Sequence, residues 1–291
     1  MPLRSYILAL IVTLLWGFNF VFAKTALLHF EPFTLLLIRY LIISLLLIPF
    51  FPKPPVAFKD ILLLSISFSL CHLGAMFLAL KIGLDASIGI VALQTHVPFL
   101  LILGIIFFKE RIGKYSISGL ILAFIGSILL MKAPNSIDNP FGFWLMIFSA
   151  FSVAVYGAHV KKLAKINTVA LIAWIAFVSL PIMLLLSLYF ESNQIGMILS
   201  ADYKVVISLL YITIGTAIIG HSLWAYLLAR NPVSAIAPIT LLIPVIGVFA
   251  GVYFLGEAIS MVMIIGAVLV IIGAGIVLFR RPDIVETEVD L

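Results

Sequence analysis

Ten long apolar runs constrain this chain more than any other feature, because each approaches the length that a helix needs to cross a bilayer. Spanning about 30 Å of hydrocarbon takes roughly 20 apolar residues in a helix. The runs cover residues 5–28, 32–51, 61–80, 86–108, 115–131, 141–160, 168–190, 205–229, 233–256 and 258–279. Backbone groups that face lipid must be hydrogen-bonded within their own segment, and the alternation typical of barrel strands is not visible. The sequence therefore predicts an all-α polytopic membrane protein with ten transmembrane helices.

The composition supports lipid as the main surroundings of the chain. Its 291 residues are 64% hydrophobic and 10% charged, whereas ordinary globular domains carry about 25% charged residues. A protein this apolar lacks the polar residues to cover its own surface in water. We therefore expect the lipid bilayer as a partner and no nucleic acid, despite a net charge of +5. The apolar stretch after Met1 has no small-residue cleavage pattern, so we expect a retained first helix rather than a signal peptide.

The chain is internally duplicated. Residues 87–110 and 234–257 have the same length and a similar pattern, at a spacing of 147 residues. The matched pairs are Ser87 with Ser234, Phe77 with Trp224, Phe107 with Phe254, Glu110 with Glu257, Gly119 with Gly266 and Gly126 with Gly273. Five spans per unit is an odd number, so the second unit must be inverted in the membrane relative to the first. We predict a first repeat at 1–131 (spans 1–5), a linker at 132–140, a second repeat at 141–279 (spans 6–10) and a tail at 280–291.

The basic residues predict an orientation, because Lys and Arg are enriched in short cytoplasmic loops. With the N-terminus in the cytosol, twelve of the 17 Lys and Arg residues lie on the inner side, three lie on the outer side and two lie within spans. The duplicated segments agree, since KERIGK at 109–114 corresponds to GEAISM at 256–261, which has no basic residue. We predict a multi-pass protein of the bacterial inner membrane with both termini in the cytosol.

The two basic residues inside spans, Lys24 and Arg39, are the first candidates for a binding site. An ionisable side chain within a span costs about 2.5–3.5 kcal/mol. Counted from the outer helix ends, their depths differ by only about 4–5 Å, so one cavity can hold both. The alternative for Lys24 is a side chain that extends to the interface, whereas for Arg39 we favour an inward-facing role. No Asp or Glu lies well inside any span, which predicts a small-molecule substrate with an anionic group, such as the carboxylate of an amino acid.

Seven further polar or aromatic residues within the spans are candidates for a substrate pocket. They are Asn19, His72, Gln94, His96, Tyr156, His221 and Trp224. Histidine titrates near neutral pH, which makes proton coupling a hypothesis. The alternatives are histidines that pack through ordinary hydrogen bonds, and Trp and Tyr side chains that belong to an interfacial belt.

Prolines and glycines within spans indicate irregular or closely packed helices. Pro98, Pro238 and Pro244 are candidate hinges, because a proline removes a backbone hydrogen bond and paired interruptions point to a transport site. Gly247 and Gly251 predict close helix packing, within the fold or across a dimer, so we expect a monomer or a weak homodimer. The motifs of enzymes, metal sites and cofactor sites are absent from the sequence, and we predict no cofactor.

Several segments together resemble the EamA branch of the drug/metabolite transporter superfamily. They are WGFNFVFAK at 16–24, the span with Arg39, the two proline stretches that end at Glu110 and Glu257, and LWAYLLARNPVSAIAP at 223–238. Within this branch, VALQTH at 91–96, FSVAVYGAHVKK at 151–162 and TLLIPVIG at 240–247 are similar to amino-acid metabolite exporters of the cysteine and O-acetylserine type. The resemblance implies two inverted halves with helices 1, 3, 4, 6, 8 and 9 around a central cavity. His72 and His96 stand where those exporters have glutamine.

Together these features predict a secondary transporter that exports small amino-acid metabolites by alternating access, and not an enzyme. Arg39 and Lys24 are expected to bind the anionic group of the substrate. Two alternatives stay open. One is an importer or exchanger of another small metabolite, and the other is a membrane scaffold or lipid-handling protein that transports nothing.

Overall fold

The structure is a computed structural model that describes residues 3–108, 114–133, 138–163, 166–231 and 239–279. Within these ranges six helices are long and apolar enough to cross a membrane, and four shorter apolar helices accompany them, which matches the ten predicted spans. Spans 1 to 5 are Leu3–Gly17 with Asn19–Leu27, Pro32–Leu47, Phe58–Ser65 with Ile66–Gly74 and Ala75–Lys81, Ala86–Leu93 with His96–Phe108, and Lys114–Met131. Spans 6 to 10 are Pro140–Lys162, Thr168–Phe190, Tyr203–Leu210 with Tyr211–Gly220 and His221–Arg230, Leu242–Leu255, and Met261–Phe279. A short helix, Gln194–Leu199, lies between spans 7 and 8.

Polar residues in the joints determine where three of the spans begin. The Asn139 side chain accepts a hydrogen bond of 3.0 Å from the backbone N–H of Gly142 at the start of span 6. Asn167 does the same at the start of span 7, and Asp202 at the start of span 8. Each of these oxygens satisfies an amide that has no partner within its helix.

Spans 4 and 9 are interrupted, as the prolines predicted. Span 4 breaks at Gln94 and Thr95, just before Pro98, and span 9 is preceded by a turn at Leu241, three residues before Pro244. Proline has no N–H for the carbonyl four residues earlier and its ring crowds that carbonyl, so the break falls on the N-terminal side of each proline. Pro238 lies outside the described residues.

Spans 3 and 8 each contain a π-helical stretch, at Ile66–Gly74 and Tyr211–Gly220. The repeat spacing of 147 residues places the first stretch onto 213–221, so the two coincide in the duplicated unit. A π-helix is wider than an α-helix and is frequent at functional sites. No feature of the sequence marked these stretches in advance.

Glycines in spans 5 and 10 demonstrate that the two repeats are inverted. A Cβ atom added to Gly119 meets the Gly273 carbonyl oxygen at 2.8 Å, and one added to Gly126 meets the Gly266 carbonyl oxygen at 2.8 Å. The numbers rise along one helix and fall along the other, so the helices are antiparallel. Because Gly119 corresponds to Gly266 and Gly126 to Gly273, the contact is reciprocal, as a two-fold axis requires. This axis is perpendicular to the helices and therefore lies in the membrane plane.

The same inversion organises the interior. Span 6 packs against spans 3 and 4, and span 1 packs against the equivalent spans 8 and 9, so each of these two contacts between the repeats is made twice. Spans 2 and 7 also pack on each other, with the Thr34 and Ser187 hydroxyl oxygens 2.8 Å apart. The centre of the molecule is consequently enclosed by helices from both repeats.

Candidate functional site

A small cavity of about 20 Å³ lies at the centre of the molecule, between the two repeats. It is lined by Arg39, Tyr40 and Ile43 of span 2, Phe68 of span 3, Tyr156 of span 6, Ile172, Ile175 and Ala176 of span 7, and Ala217 and His221 of span 8. This volume holds about one water molecule, whereas sites for small molecules typically measure roughly 300–1,000 Å³. A small molecule could enter this cavity only if the surrounding helices moved apart.

Arg39 supplies the positive charge of this cavity. Its side chain is buried, with 4% of the residue surface exposed, and its Nε and Nη1 atoms have no hydrogen-bond partner among the described residues. The guanidinium carbon lies 6.0 Å from the centre of the Phe77 ring. None of the described residues that line the cavity is Asp or Glu. Two buried donors without an acceptor are unfavourable, which makes this cavity a candidate site for an anionic ligand group.

His221 stands on another wall of the cavity, in an aromatic surrounding. Its Nδ1 atom lies 3.0 Å from the Thr216 carbonyl oxygen, five residues earlier in the chain. The ring packs edge-on against Trp16 at 5.2 Å between centres and lies 6.5 Å from Phe68. Phe68 in turn packs on Tyr156 at 4.7 Å. These contacts hold the imidazole in one orientation.

The two other candidate histidines, His72 and His96, are hydrogen-bonded outside the lining of the cavity. The His72 Nδ1 atom lies 2.8 Å from the Ser149 hydroxyl and 3.2 Å from the Ser149 carbonyl oxygen. The His96 Nδ1 atom lies 2.8 Å from the Leu93 carbonyl oxygen. Both arrangements match the alternative that we considered for these residues, a packing histidine with an ordinary hydrogen bond.

Lys24 is engaged at one end of the helix bundle rather than in the cavity. Its ammonium nitrogen lies 2.9 Å from Glu257 Oε1 and 3.4 Å from Asp85 Oδ1. The two Glu257 oxygens also accept hydrogen bonds from the backbone N–H groups of Ala86 at 2.6 Å and Ser87 at 2.9 Å. We call this group of residues, Lys24, Asp85, Glu257 and the first amides of span 4, the terminal cluster, and the bundle end that holds it the cluster end.

Further ionic contacts close the cluster end. The Glu191 carboxylate, at the end of span 7, accepts hydrogen bonds from the backbone N–H groups of Phe33 at 2.6 Å and Thr34 at 2.7 Å, at the start of span 2. Lys81 pairs with Glu31 at 2.9 Å and donates to the Leu27 carbonyl oxygen at 3.0 Å. Side chains of the second repeat thus cap two helices of the first repeat on this side.

A sequence model described as the EamA-like transporter family matches residues 3–132 and again residues 140–279. The chain belongs to the EamA-like transporter family. The double match confirms the internal duplication, and the family agrees with the ten apolar helices.

Two curated relatives and one solved structure are similar to this EamA-like transporter over nearly its whole length. A "Probable amino-acid metabolite efflux pump" of Salmonella typhimurium strain LT2 is 31% identical over 287 residues, which covers 96% of both chains. A protein of the same description from Escherichia coli K12 is 28% identical, also over 96% of both chains. A crystal structure with 18% sequence identity has a TM-score of 0.63 and covers 94% of this chain and 96% of its own, which supports the fold.

The cavity of this EamA-like transporter is not surrounded by the helices that the family resemblance implied. Spans 3, 6 and 8 line it as expected, and spans 2 and 7 also line it, whereas no described residue of spans 1, 4 and 9 does. Spans 4 and 9 are instead in close contact with each other. Added Cβ atoms on Gly247 and Gly251 would collide with Ile90 and approach Ser87 to 3.2 Å, so no space remains between these helices. The two glycines therefore serve packing within the chain.

Of the nine residues predicted to bind substrate, the structure brings Arg39, Tyr156 and His221 together around the cavity. Asn19 accepts a hydrogen bond of 3.1 Å from the Thr216 hydroxyl, and Trp224 packs on Trp16 at 5.6 Å. Gln94 is buried at the break of span 4. These three, with His72, His96 and Lys24, do not line the cavity.

Sequence reasoning missed Tyr40 and Phe68, which line the cavity beside Arg39 and His221. One signal was available for Tyr40, since it directly follows an arginine inside a span. Phe68 has no such signal, because phenylalanine is common throughout the apolar runs. Its place depends on the π-helical stretch in span 3.

Proposed function

We propose that this transporter exports small amino-acid metabolites across the bacterial inner membrane by alternating access between its two inverted repeats. The description of the two relatives as probable amino-acid metabolite efflux pumps supports the substrate class, because both match almost the whole chain. The cluster end faces outward and both termini lie in the cytosol in this proposal, as the distribution of Lys and Arg predicts.

One observation carries the proposal. Arg39 is buried at the centre of the protein with Nε and Nη1 unpaired, in a cavity that has no carboxylate among its described lining residues. A carboxylate binds a guanidinium through two parallel hydrogen bonds, which gives strength and orientation. An amino acid supplies such a group, and a lipophilic cation does not. Arg39 therefore binds the substrate carboxylate, and Lys24 stabilises the closed cluster end instead.

The interruptions of spans 4 and 9 supply the movement. Pro98 and Pro244 each follow a break, and the two are close to equivalent in the duplicated unit. Bending at these positions changes the angle between the halves of span 4 and shifts the start of span 9, while the remaining helices move as rigid pieces. Inverted-repeat transporters expose a central site to each side in turn in this manner.

The proposal is tested by counterflow in proteoliposomes with a panel of labelled L-amino acids, with and without a pH gradient. We expect exchange of at least one amino acid, and a loss of at least about tenfold for Arg39→Gln, since a lost charge-assisted pair is typically worth more than the 1.4 kcal/mol that corresponds to tenfold. Arg230→Gln is the matched control, because Arg230 is exposed and stacks on Tyr226 at 3.9 Å.

Two results decide against the proposal. If wild-type protein exchanges no amino acid of the panel, the substrate class is wrong. If Arg39→Gln remains monodisperse and transports like the wild type, Arg39 is not the carboxylate site. An exchange rate that does not respond to the pH gradient removes the hypothesis of proton coupling and leaves the rest intact.

A further inference from the structure

The proposed function gives a role to only one of the polar side chains that line the cavity. Arg39 donates hydrogen bonds and suits a carboxylate, which leaves Tyr40, Tyr156 and His221 as the other polar side chains of the lining. An amino acid also brings an ammonium group, which needs hydrogen-bond acceptors. Because the described lining has no carboxylate, the acceptor must be a neutral group.

The hydrogen bond of His221 determines which of its nitrogen atoms is available. Its Nδ1 atom lies 3.0 Å from the Thr216 carbonyl oxygen, and a carbonyl oxygen can only accept. Nδ1 therefore carries the hydrogen. In a neutral imidazole the other nitrogen, Nε2, then has a free lone pair and acts as an acceptor. Nδ1 is turned back to the helix backbone, so Nε2 lies on the opposite edge of the ring.

The surroundings of His221 favour the neutral imidazole. Span 2 presents Arg39 and Tyr40, span 3 presents His72, and span 6 presents Tyr156. Span 1 contributes the Trp16 ring, and span 7 contributes only apolar side chains to the cavity. A second proton on His221 places a second positive charge in the cavity that already holds the buried guanidinium of Arg39, and the described lining offers no anion in compensation.

We propose that the Nε2 atom of neutral His221 accepts a hydrogen bond from the ammonium group of the substrate while Arg39 binds its carboxylate. This inference rests on the proposed function and assigns the two charged groups of an amino acid to two walls of one cavity. His221 is then the residue that distinguishes an amino acid from a carboxylic acid of the same shape. Discrimination arises because the acid without its amine offers no donor to the Nε2 acceptor.

The test compares three competitors in the counterflow assay. They are the amino acid that the panel exchanges best, the same compound without its amine, and the same compound without its carboxylate. For L-serine these are 3-hydroxypropanoate and ethanolamine. We expect wild-type protein to bind the amino acid at least about tenfold more tightly than the deaminated acid. His221→Phe removes this preference, whereas His221→Gln keeps most of it, because the glutamine carbonyl oxygen is an acceptor.

A second measurement separates binding from a structural role. Lowering the pH until His221 is protonated removes the acceptor, so the apparent affinity for the amino acid falls while that for the deaminated acid does not fall in parallel. In His221→Gln this difference disappears. The assignment is overturned if the amino acid and the deaminated acid inhibit the wild type equally. It is also overturned if His221→Phe loses affinity for both compounds to the same extent. If wild-type protein exchanges no amino acid, the proposed function itself fails.

Discussion

Glu257 accepts a hydrogen bond of 2.6 Å from the backbone N–H of Ala86, so a side chain of the second repeat caps a helix of the first. The first amides of a helix have no partner within it and carry a partial positive charge, which a carboxylate neutralises. The Lys24 ammonium completes the arrangement at 2.9 Å. In an alternating-access cycle this contact must separate before the cluster end can open.

Replacing Glu257 is predicted to destabilise the structure. Glu257→Ala leaves the amides of Ala86 and Ser87 without their acceptor and removes the shorter of the two carboxylate contacts of the Lys24 ammonium. We expect the free energy of unfolding to fall by about 1–3 kcal/mol, the range for an unsatisfied buried group. Thermal unfolding of purified protein in detergent measures the change. Asp202→Ala is the control, because Asp202 caps only its own span, and a loss as large as that of Glu257→Ala would contradict a special role of the cluster.

The same carboxylate predicts a dependence of stability on pH. Burial alone raises the pKa of the Glu257 carboxyl, but hydrogen bonds from Ser87 and the charge of Lys24 outweigh burial and hold the pKa below its ordinary value of 4.5. A depressed pKa in the folded state means that the contribution to stability is complete above pH 4.5 and is lost as the pH falls through the folded value. Melting temperatures between pH 7 and pH 3 should therefore fall less for Glu257→Gln than for the wild type. Parallel curves for the two proteins would show that Glu257 does not titrate in this window.

The contact of spans 5 and 10 predicts an unusually severe effect of adding one methyl group. A Cβ atom at Gly273 lies 2.5 Å from the Ala123 backbone nitrogen and 2.6 Å from the Gly119 carbonyl oxygen, and neither backbone atom can rotate away. We expect Gly273→Ala to lower the free energy of unfolding by more than about 2 kcal/mol, as overpacking does. The matched control is Gly157→Ala, whose Cβ atom meets Leu100 at an ordinary 3.5 Å. Equal melting temperatures for the two variants would mean that the helices are less close than described.

Much of the fold was predictable because lipid imposes strong and simple constraints. A span must be about 20 apolar residues long, and an odd number of spans per repeat forces inversion. The pairs of Gly119 with Gly266 and of Gly126 with Gly273 indicated the duplication in the sequence, and the structure shows these glycines in contact across the two-fold axis. The prolines located the breaks in spans 4 and 9.

The candidate site was only partly predictable, because side-chain partners depend on contacts between distant segments. Arg39 and Lys24 look alike in the sequence, each a basic residue within a span. Glu257 lies 233 residues after Lys24. Nothing local to Lys24 shows that a carboxylate neutralises it, while Nε and Nη1 of Arg39 have no partner among the described residues. The break of span 1 at Phe18 and the π-helical stretches have no proline to mark them.

The orientation of the molecule is open to a direct test with single cysteines. Cys71 is the only cysteine, so Cys71→Ala provides a background without thiols. Ser192 is exposed after span 7 at the cluster end, and Lys53 is exposed after span 2 at the other end, with five spans between them. Because five is odd, the two positions must lie on opposite sides of the membrane. We expect a membrane-impermeant maleimide to label Ser192→Cys in intact cells and to label Lys53→Cys only after permeabilisation. The reverse result would mean that the protein has the opposite orientation in the membrane. Labelling of both cysteines from the same side would contradict the inverted repeats.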